Sequence, residues 1–179
     1  SVETSPRLAH FGRMRHICLM IDRDELLDRA LRHLNTHPAA SLGEVAAAVD
    51  EMFARFKVAR MYCDPHDWYS EIGEWALKYG DEHVFEWNTS RVNKMYDEIR
   101  RFEVDLKERR LTHDGCPIAT IHAANARKIA KPGQKYVLGK PADHQKIDVI
   151  MARILAHTAA SDAHAAGWAD ETDNRMWCF

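Results

Sequence analysis

Short β-prone runs set between longer amphipathic stretches dictate how this chain can layer. Val58-Ala59-Arg60-Met61-Tyr62-Cys63 stops at Asp64-Pro65, where proline has no N–H to give to a ladder, so Asp64 is expected at the C-terminal end of a strand. Before it, Ser41-x-x-Glu44 forms a capping box, and Leu42, Val45, Val49, Met52, Phe53 and Phe56 share one face, which predicts a helix over 41–56. After it, Trp68, Ile72, Trp75 and Ala76 predict a helix over 67–79 that ends at Gly80. Residues 84–87 (Val-Phe-Glu-Trp) read as the next strand. Asn88-Thr89-Ser90 then offers caps for a long helix to about residue 110, with Val92, Met95, Tyr96, Ile99, Phe102 and Leu106 at spacings of three and four.

The second half continues the alternation. Thr112-His113-Asp114-Gly115 is turn chemistry, and Pro117 opens a helix expected through residue 130. Lys131-Pro132-Gly133 breaks it, Tyr136-Val137-Leu138 is β-prone, and a last helix is expected over 145–166, stopping at Gly167. Strands alternating with amphipathic helices predict an α/β fold, a sheet with helices on its faces. The first 40 residues divide into an apolar run at 17–21 and a helical leucine spacing over 24–34. The organisation expected is thus a divergent segment 1–40, a domain over 41–168 and a tail over 169–179.

Composition removes several classes. With 46% hydrophobic and 29% charged residues, general disorder does not fit, and no run approaches the roughly 18 apolar residues of a membrane span. The N-terminus lacks a signal peptide's apolar core, so a soluble, intracellular chain without membrane partners is expected. Because it begins at Ser1, it reads as processed or as part of a longer product. Lys+Arg 25 against Asp+Glu 27 leaves −2, which argues against a generic basic coat for nucleic acid but not against a local basic groove. Cys18, Cys63, Cys116 and Cys178 have no metal-ligand spacing and read as thiols in a reducing compartment. Gly139-Lys140 is followed by Pro141, which excludes a P-loop, and no G-x-S-x-G occurs.

The pair that could carry chemistry is Asp64, at a strand end, and Asp148, in the first turn of the last helix. In an α/β layer these two kinds of position converge on one edge, where ligands bind. Two carboxylates there suit Mg²⁺ or Mn²⁺, and two such ions roughly 3.5–4 Å apart can hydrolyse a phosphodiester. The plainer alternative is a turn former before proline and an acid favoured by the helix dipole. His113, His122, His144, His157 and His164 invite a zinc reading, but none forms H-E-x-x-H. Among the basic residues of the second half, Lys128, Lys131, Lys140 and Lys146 are the candidates to contact DNA phosphates, or else form a solvated face.

Together and in order, Met61-Tyr62-Cys63-Asp64-Pro65, Phe85-Glu86-Trp87-Asn88-Thr89, Leu111-Thr112-His113-Asp114-Gly115-Cys116-Pro117, His122-Ala123-Ala124-Asn125-Ala126 and Lys146-Ile147-Asp148 resemble the C-terminal nuclease domain of the large terminase subunit of tailed bacteriophages, particularly those of actinobacterial phages and prophages. The resemblance covers about residues 41–168. It implies an RNase H-like fold and an endonuclease that cuts concatemeric DNA during head filling with two Mg²⁺ or Mn²⁺ ions. By the resemblance Asp64 and Asp148 are catalytic metal ligands, and His113-Asp114-Gly115 is structural or DNA-facing. Double-stranded DNA, the terminase ATPase domain, the portal and the small terminase subunit are the implied partners, in the host bacterial cytoplasm.

The departure lies at the front. The family's first acid ends a first strand, and Asp22, after the apolar 17–21, is the residue available for that position. Forty residues with a helical 24–34 leave too little chain for three ordinary strands, so the sheet is expected to be truncated. The alternative that follows is a non-catalytic remnant, a DNA-binding or assembly module of the same fold with an incomplete acidic triad.

Overall fold

The computed structural model describes residues 42–168. Asp22, the apolar run 17–21, the helical spacing of 24–34, the capping Ser41, Cys18, Cys178 and the tail 169–179 lie outside the described residues. The element order is α1 (Leu42–Arg55), β1 (Met61–Cys63), α2 (Tyr69–Tyr79), β2 (Val84–Glu86), α3 (Val92–Lys107), α4 (Pro117–Asn125), β3 (Arg127–Lys131), β4 (Lys135–Gly139) and α5 (Asp148–Ala165). The described residues are therefore mixed α/β.

β1 and β2 pair in parallel, Met61 opposite Val84 and Cys63 opposite Glu86, with α2 as the crossover between them. Side chains alternate along a strand, and here the alternation separates two cores. Met61 joins Met52, Val58, Ile72, Trp75 and Val84 under α1 and α2, with Cys63 packed against the same cluster. Tyr62 faces the other way, onto Trp87 just after β2 and onto Met95, Ile99, Phe102, Ile154 and Leu155 from α3 and α5. Helices thus cover both faces of the β1–β2 pair, and each side chain fully buried there contributes on the order of 1.5–3 kcal/mol.

α5 is the centre of the second core. Its residues from Ile154 through Ala160 are all buried, as expected of a helix surrounded by protein rather than lying on a surface. Two polar side chains in that run have partners on α3. His157 Nε2 meets Asp105 Oδ2 at 2.8 Å, and Thr158 Oγ1 lies 3.1 Å from Glu98 Oε2 and 2.9 Å from the Ile154 carbonyl.

Three local expectations change. The helix opened by Pro117 ends at Asn125 rather than near 130, and Arg127–Lys131 is a strand. The Ala-Arg-Lys composition there favours helix locally, but Pro132-Gly133-Gln134 turns the chain back, with Gly133 at φ 75° and Gln134 at φ 58°. β4 then pairs antiparallel with β3 from Arg127 opposite Gly139 to Lys131 opposite Lys135, and that ladder outweighs a weak helix propensity. As a result the described strands form two two-stranded sheets instead of the one flanked sheet expected from the sequence.

The second change is at α3, whose N-cap is Arg91 with no side-chain cap. Asn88 Oδ1 instead accepts from the Ser90 backbone N–H at 2.8 Å, closing a local Asx turn. The third is that α2 and α5 start later than predicted, at Tyr69 and Asp148. Asp67 has φ 65°, outside the helical region, so α2 cannot begin there. Gly80 does end α2, donating to the Ala76 carbonyl at 2.9 Å, and the Glu82 carboxyl sits where a side chain on Gly80 would project.

Candidate functional site

Asp64 directly follows β1 and is half-buried. Its Oδ2 accepts a hydrogen bond from Thr89 Oγ1 on the loop after β2, and its Oδ1 lies 3.4 Å from the His66 N–H. The Trp87 N–H donates to the Cys63 carbonyl at 2.7 Å, so the chain leaving β2 runs alongside Asp64 and delivers Thr89 to it. Thr89 is a residue that sequence reasoning placed among the helix caps; its hydroxyl orients the carboxylate instead.

Asp148 is the first residue of α5 and is exposed. Whether it shares an edge with Asp64 depends on the direction of α5. Tyr62 Oη on β1 donates to Asp162 near the end of α5 at 2.8 Å, and the Lys57 ammonium, ahead of β1, lies 5.9 Å from the Trp168 ring centroid, just past α5. The C-terminal end of α5 therefore lies beside the start of β1, and the two elements run in opposite directions. The N-terminal end of α5, with Asp148, thus lies on the side of the layer to which β1 runs, 14 helical residues or roughly 21 Å before Asp162, while Asp64 is two residues past Tyr62.

The turn bearing Asp148 is held from α4. Ile147 at the N-cap offers no side-chain acceptor, and the Val149 N–H donates to His122 Nδ1 at 3.1 Å. Asn125 Nδ2, one turn further along α4, donates to the Lys146 carbonyl at 2.9 Å. His122 is 5% exposed, and burial holds its imidazole below the usual histidine range, with the Asp148 charge acting against that shift and the Lys146 charge adding to it.

The other histidines do not assemble. His113 Nδ1 accepts from the Gly115 N–H at 3.1 Å, His157 is bound to Asp105, and His164, on the same helix as His157, is exposed where His157 is buried. Among the described residues, no three His, Cys, Asp or Glu side chains gather as a metal-holding group. Asp64 and Asp148 fit hard cations in donor type, as oxygen ligands that leave positions for water and phosphate. Two of them fall short of a two-ion site, which needs a further acid. Asp114 behaves structurally: its Oδ1 accepts from the Cys116 N–H at 2.9 Å at the start of α4 and lies 3.4 Å from Arg153 Nη2 of α5.

The four candidate lysines separate into two pairs. Lys128 Nζ is 2.7 Å from Glu103 Oε1 and 3.1 Å from Tyr136 Oη, and Lys140 Nζ is 3.5 Å from Asp143 Oδ1. Burial pulls the Glu103 carboxyl upward, but the Lys128 and Tyr136 hydrogen bonds outweigh it and hold the group below the usual carboxylate range. Lys131 and Lys146 make no ion pair among the described residues. Among those residues, too, no helix is long and apolar enough to cross a membrane. No protein-family model, curated protein or solved structure matches this chain.

Proposed function

We propose that this chain is the nuclease portion of a phage large terminase, an RNase H-like, Mg²⁺- or Mn²⁺-dependent endonuclease that cuts concatemeric double-stranded DNA in the bacterial cytoplasm. The observation that supports the reading is the opposed direction of β1 and α5, which leaves the first turn of α5, with Asp148, on the side of the layer to which β1 runs and after which Asp64 follows. In this reading both carboxylates are metal ligands, and Asp22 supplies the further acid. Held by these carboxylates, the cations would supply an activated water and stabilisation of the leaving oxygen of the phosphodiester.

The chain's own residues prepare that chemistry. Thr89 fixes one oxygen of Asp64; the other, which the His66 N–H approaches at 3.4 Å, keeps a lone pair with which to hold a cation, and Lys131 and Lys146 attract phosphates without reading sequence. The ATPase domain, portal and small terminase subunit are the partners the reading requires. The test is relaxation of supercoiled plasmid by the full chain with Mg²⁺ or Mn²⁺. Cutting is expected, with loss in EDTA and a fall of at least 100-fold in Asp64→Asn and Asp148→Asn. Cutting that survives both substitutions rejects the assignment. A folded chain that retains DNA in a salt-dependent manner without cutting is instead the non-catalytic DNA-binding or assembly module.

A further inference from the structure

An α-helix begins with four N–H groups that have no partner within the helix, and a side-chain acceptor at the N-cap ordinarily takes one. The N-cap of α5 is Ile147, which has none. The acceptor comes from a different element: His122 Nδ1, on α4, lies 3.1 Å from the Val149 nitrogen, and the imidazole is almost entirely buried. Since Nδ1 accepts a hydrogen bond it carries no proton, so the ring is the neutral Nε2–H tautomer. Ile118, Ala119, His122 and Asn125 lie on one face of α4, and Asn125 holds the Lys146 carbonyl at 2.9 Å. Lys146, two residues before Asp148 in the chain, and Val149, directly after it, are thus both tied to α4. Arg153 and Asp114, 3.4 Å apart, add a third link between α5 and the start of α4.

We infer that His122 is a positioning residue for Asp148: an N-cap supplied from another helix, which fixes the first turn of α5 so that the Asp148 carboxylate is preorganised as a ligand. The inference rests on the metal-ligand reading of Asp148 given above. A carboxylate on an untied helix end must be ordered when the cation binds, and residues that orient ligands in this way typically control metal affinity by about 10- to 100-fold. The acceptor must be at the δ position. Asparagine places an oxygen close to where Nδ1 stands, glutamine places it one carbon further out, and leucine has none.

The experiment uses the full chain and Mn²⁺ as the probe. NMR is expected to show His122 as the Nε2–H tautomer at neutral pH and the Val149 amide protected from exchange. His122→Leu is expected to lose at least tenfold of that protection and at least tenfold in Mn²⁺ affinity, read from paramagnetic broadening around Asp148. His122→Asn is expected to keep Mn²⁺ affinity within threefold of wild type, with His122→Gln weaker than Asn. If the Leu variant fails to fold, the Asn-against-Gln order decides. A folded Leu variant with wild-type Mn²⁺ affinity, or Asn and Gln variants that behave alike, overturns the inference. A wild-type chain that binds no Mn²⁺ overturns the metal reading and this inference with it, whereas the Nδ1–H tautomer overturns the tether alone.

Discussion

Tyr62 Oη donates to Asp162 Oδ2 at 2.8 Å, joining the middle of β1 to the last turns of α5 across 100 positions of sequence. Arg60 Nη1 donates to Tyr62 Oη at 3.2 Å, and Arg101 Nη2 is 3.9 Å from Asp162 Oδ1. Together with Lys57 against the Trp168 ring, the Tyr62–Asp162 contact sets the direction of the central helix against the strand. Tyr62→Phe keeps the ring that packs on the second core and removes only the hydrogen bond. A loss of about 0.5–1.5 kcal/mol is expected in urea unfolding at pH 7.

The same phenol predicts an alkaline limit. Burial first, then the Asp162 hydrogen bond, raises the Tyr62 pKa, with Arg60 opposing. The native state therefore holds the proton longer than the unfolded chain, so the contribution is complete below the unfolded value of about 10 and falls as pH climbs through the raised one. Unfolding midpoints between pH 9 and about 11 are expected to drop more steeply for wild type than for Tyr62→Phe.

His122 predicts an acid limit. Its folded pKa is depressed by burial, so the unfolded chain takes up the proton first. The stability that a neutral His122 contributes is present above the unfolded value of about 6.5 and is lost as pH falls through the folded one. His122→Asn is expected to flatten the fall in unfolding free energy between pH 7 and about 5, measured against wild type by urea titration.

Lysine charges already matched by acids should add little to DNA binding. Lys128→Ala, which removes a charge paired with Glu103, is expected to leave the salt slope of DNA affinity almost unchanged. Lys131→Ala and Lys146→Ala are each expected to reduce the slope by about 0.9, the value for one lost phosphate contact. Fluorescence anisotropy with a duplex over a salt series measures all three.

Core packing gives a further prediction. Ile154 is 1% exposed, at the contact of α5 with α3 and Trp87, and Ile154→Ala is expected to cost about 2–5 kcal/mol. Leu77, on α2, is 90% exposed, and Leu77→Ala is expected to change stability by less than about 0.5 kcal/mol in the same urea titration.

What the sequence made legible is what local periodicity encodes. The faces of α1, α2 and α3 were readable because Met52, Ile72, Trp75, Met95, Ile99 and Phe102 recur at helical spacing, and all are buried. β1 and β2 were readable from β-prone runs ended by Pro65 and by the polar 88–90. β3 was not, because Arg127–Lys131 is strand only through its pairing with β4, a partner that no local pattern names. The same limit holds at the site. Asp64 and Asp148 stood out by position, since strand ends and helix starts can be read locally. Thr89 and His122 act through contacts 25 and 27 residues away, so the residue type of Thr89 alone pointed to a helix cap and that of His122 to no role.

If Asp64 and Asp148 serve one metal centre, as proposed, both carboxylates coordinate the same ion. Crystals of the full chain soaked in Mn²⁺, with anomalous diffraction at the manganese edge, test it directly. An anomalous peak is expected at direct coordination distance, about 2 Å, from a carboxylate oxygen of Asp64 and of Asp148, lost in Asp148→Asn. Saturating Mn²⁺ that leaves both carboxylates without a peak, or that binds one while the other stays remote, would contradict it.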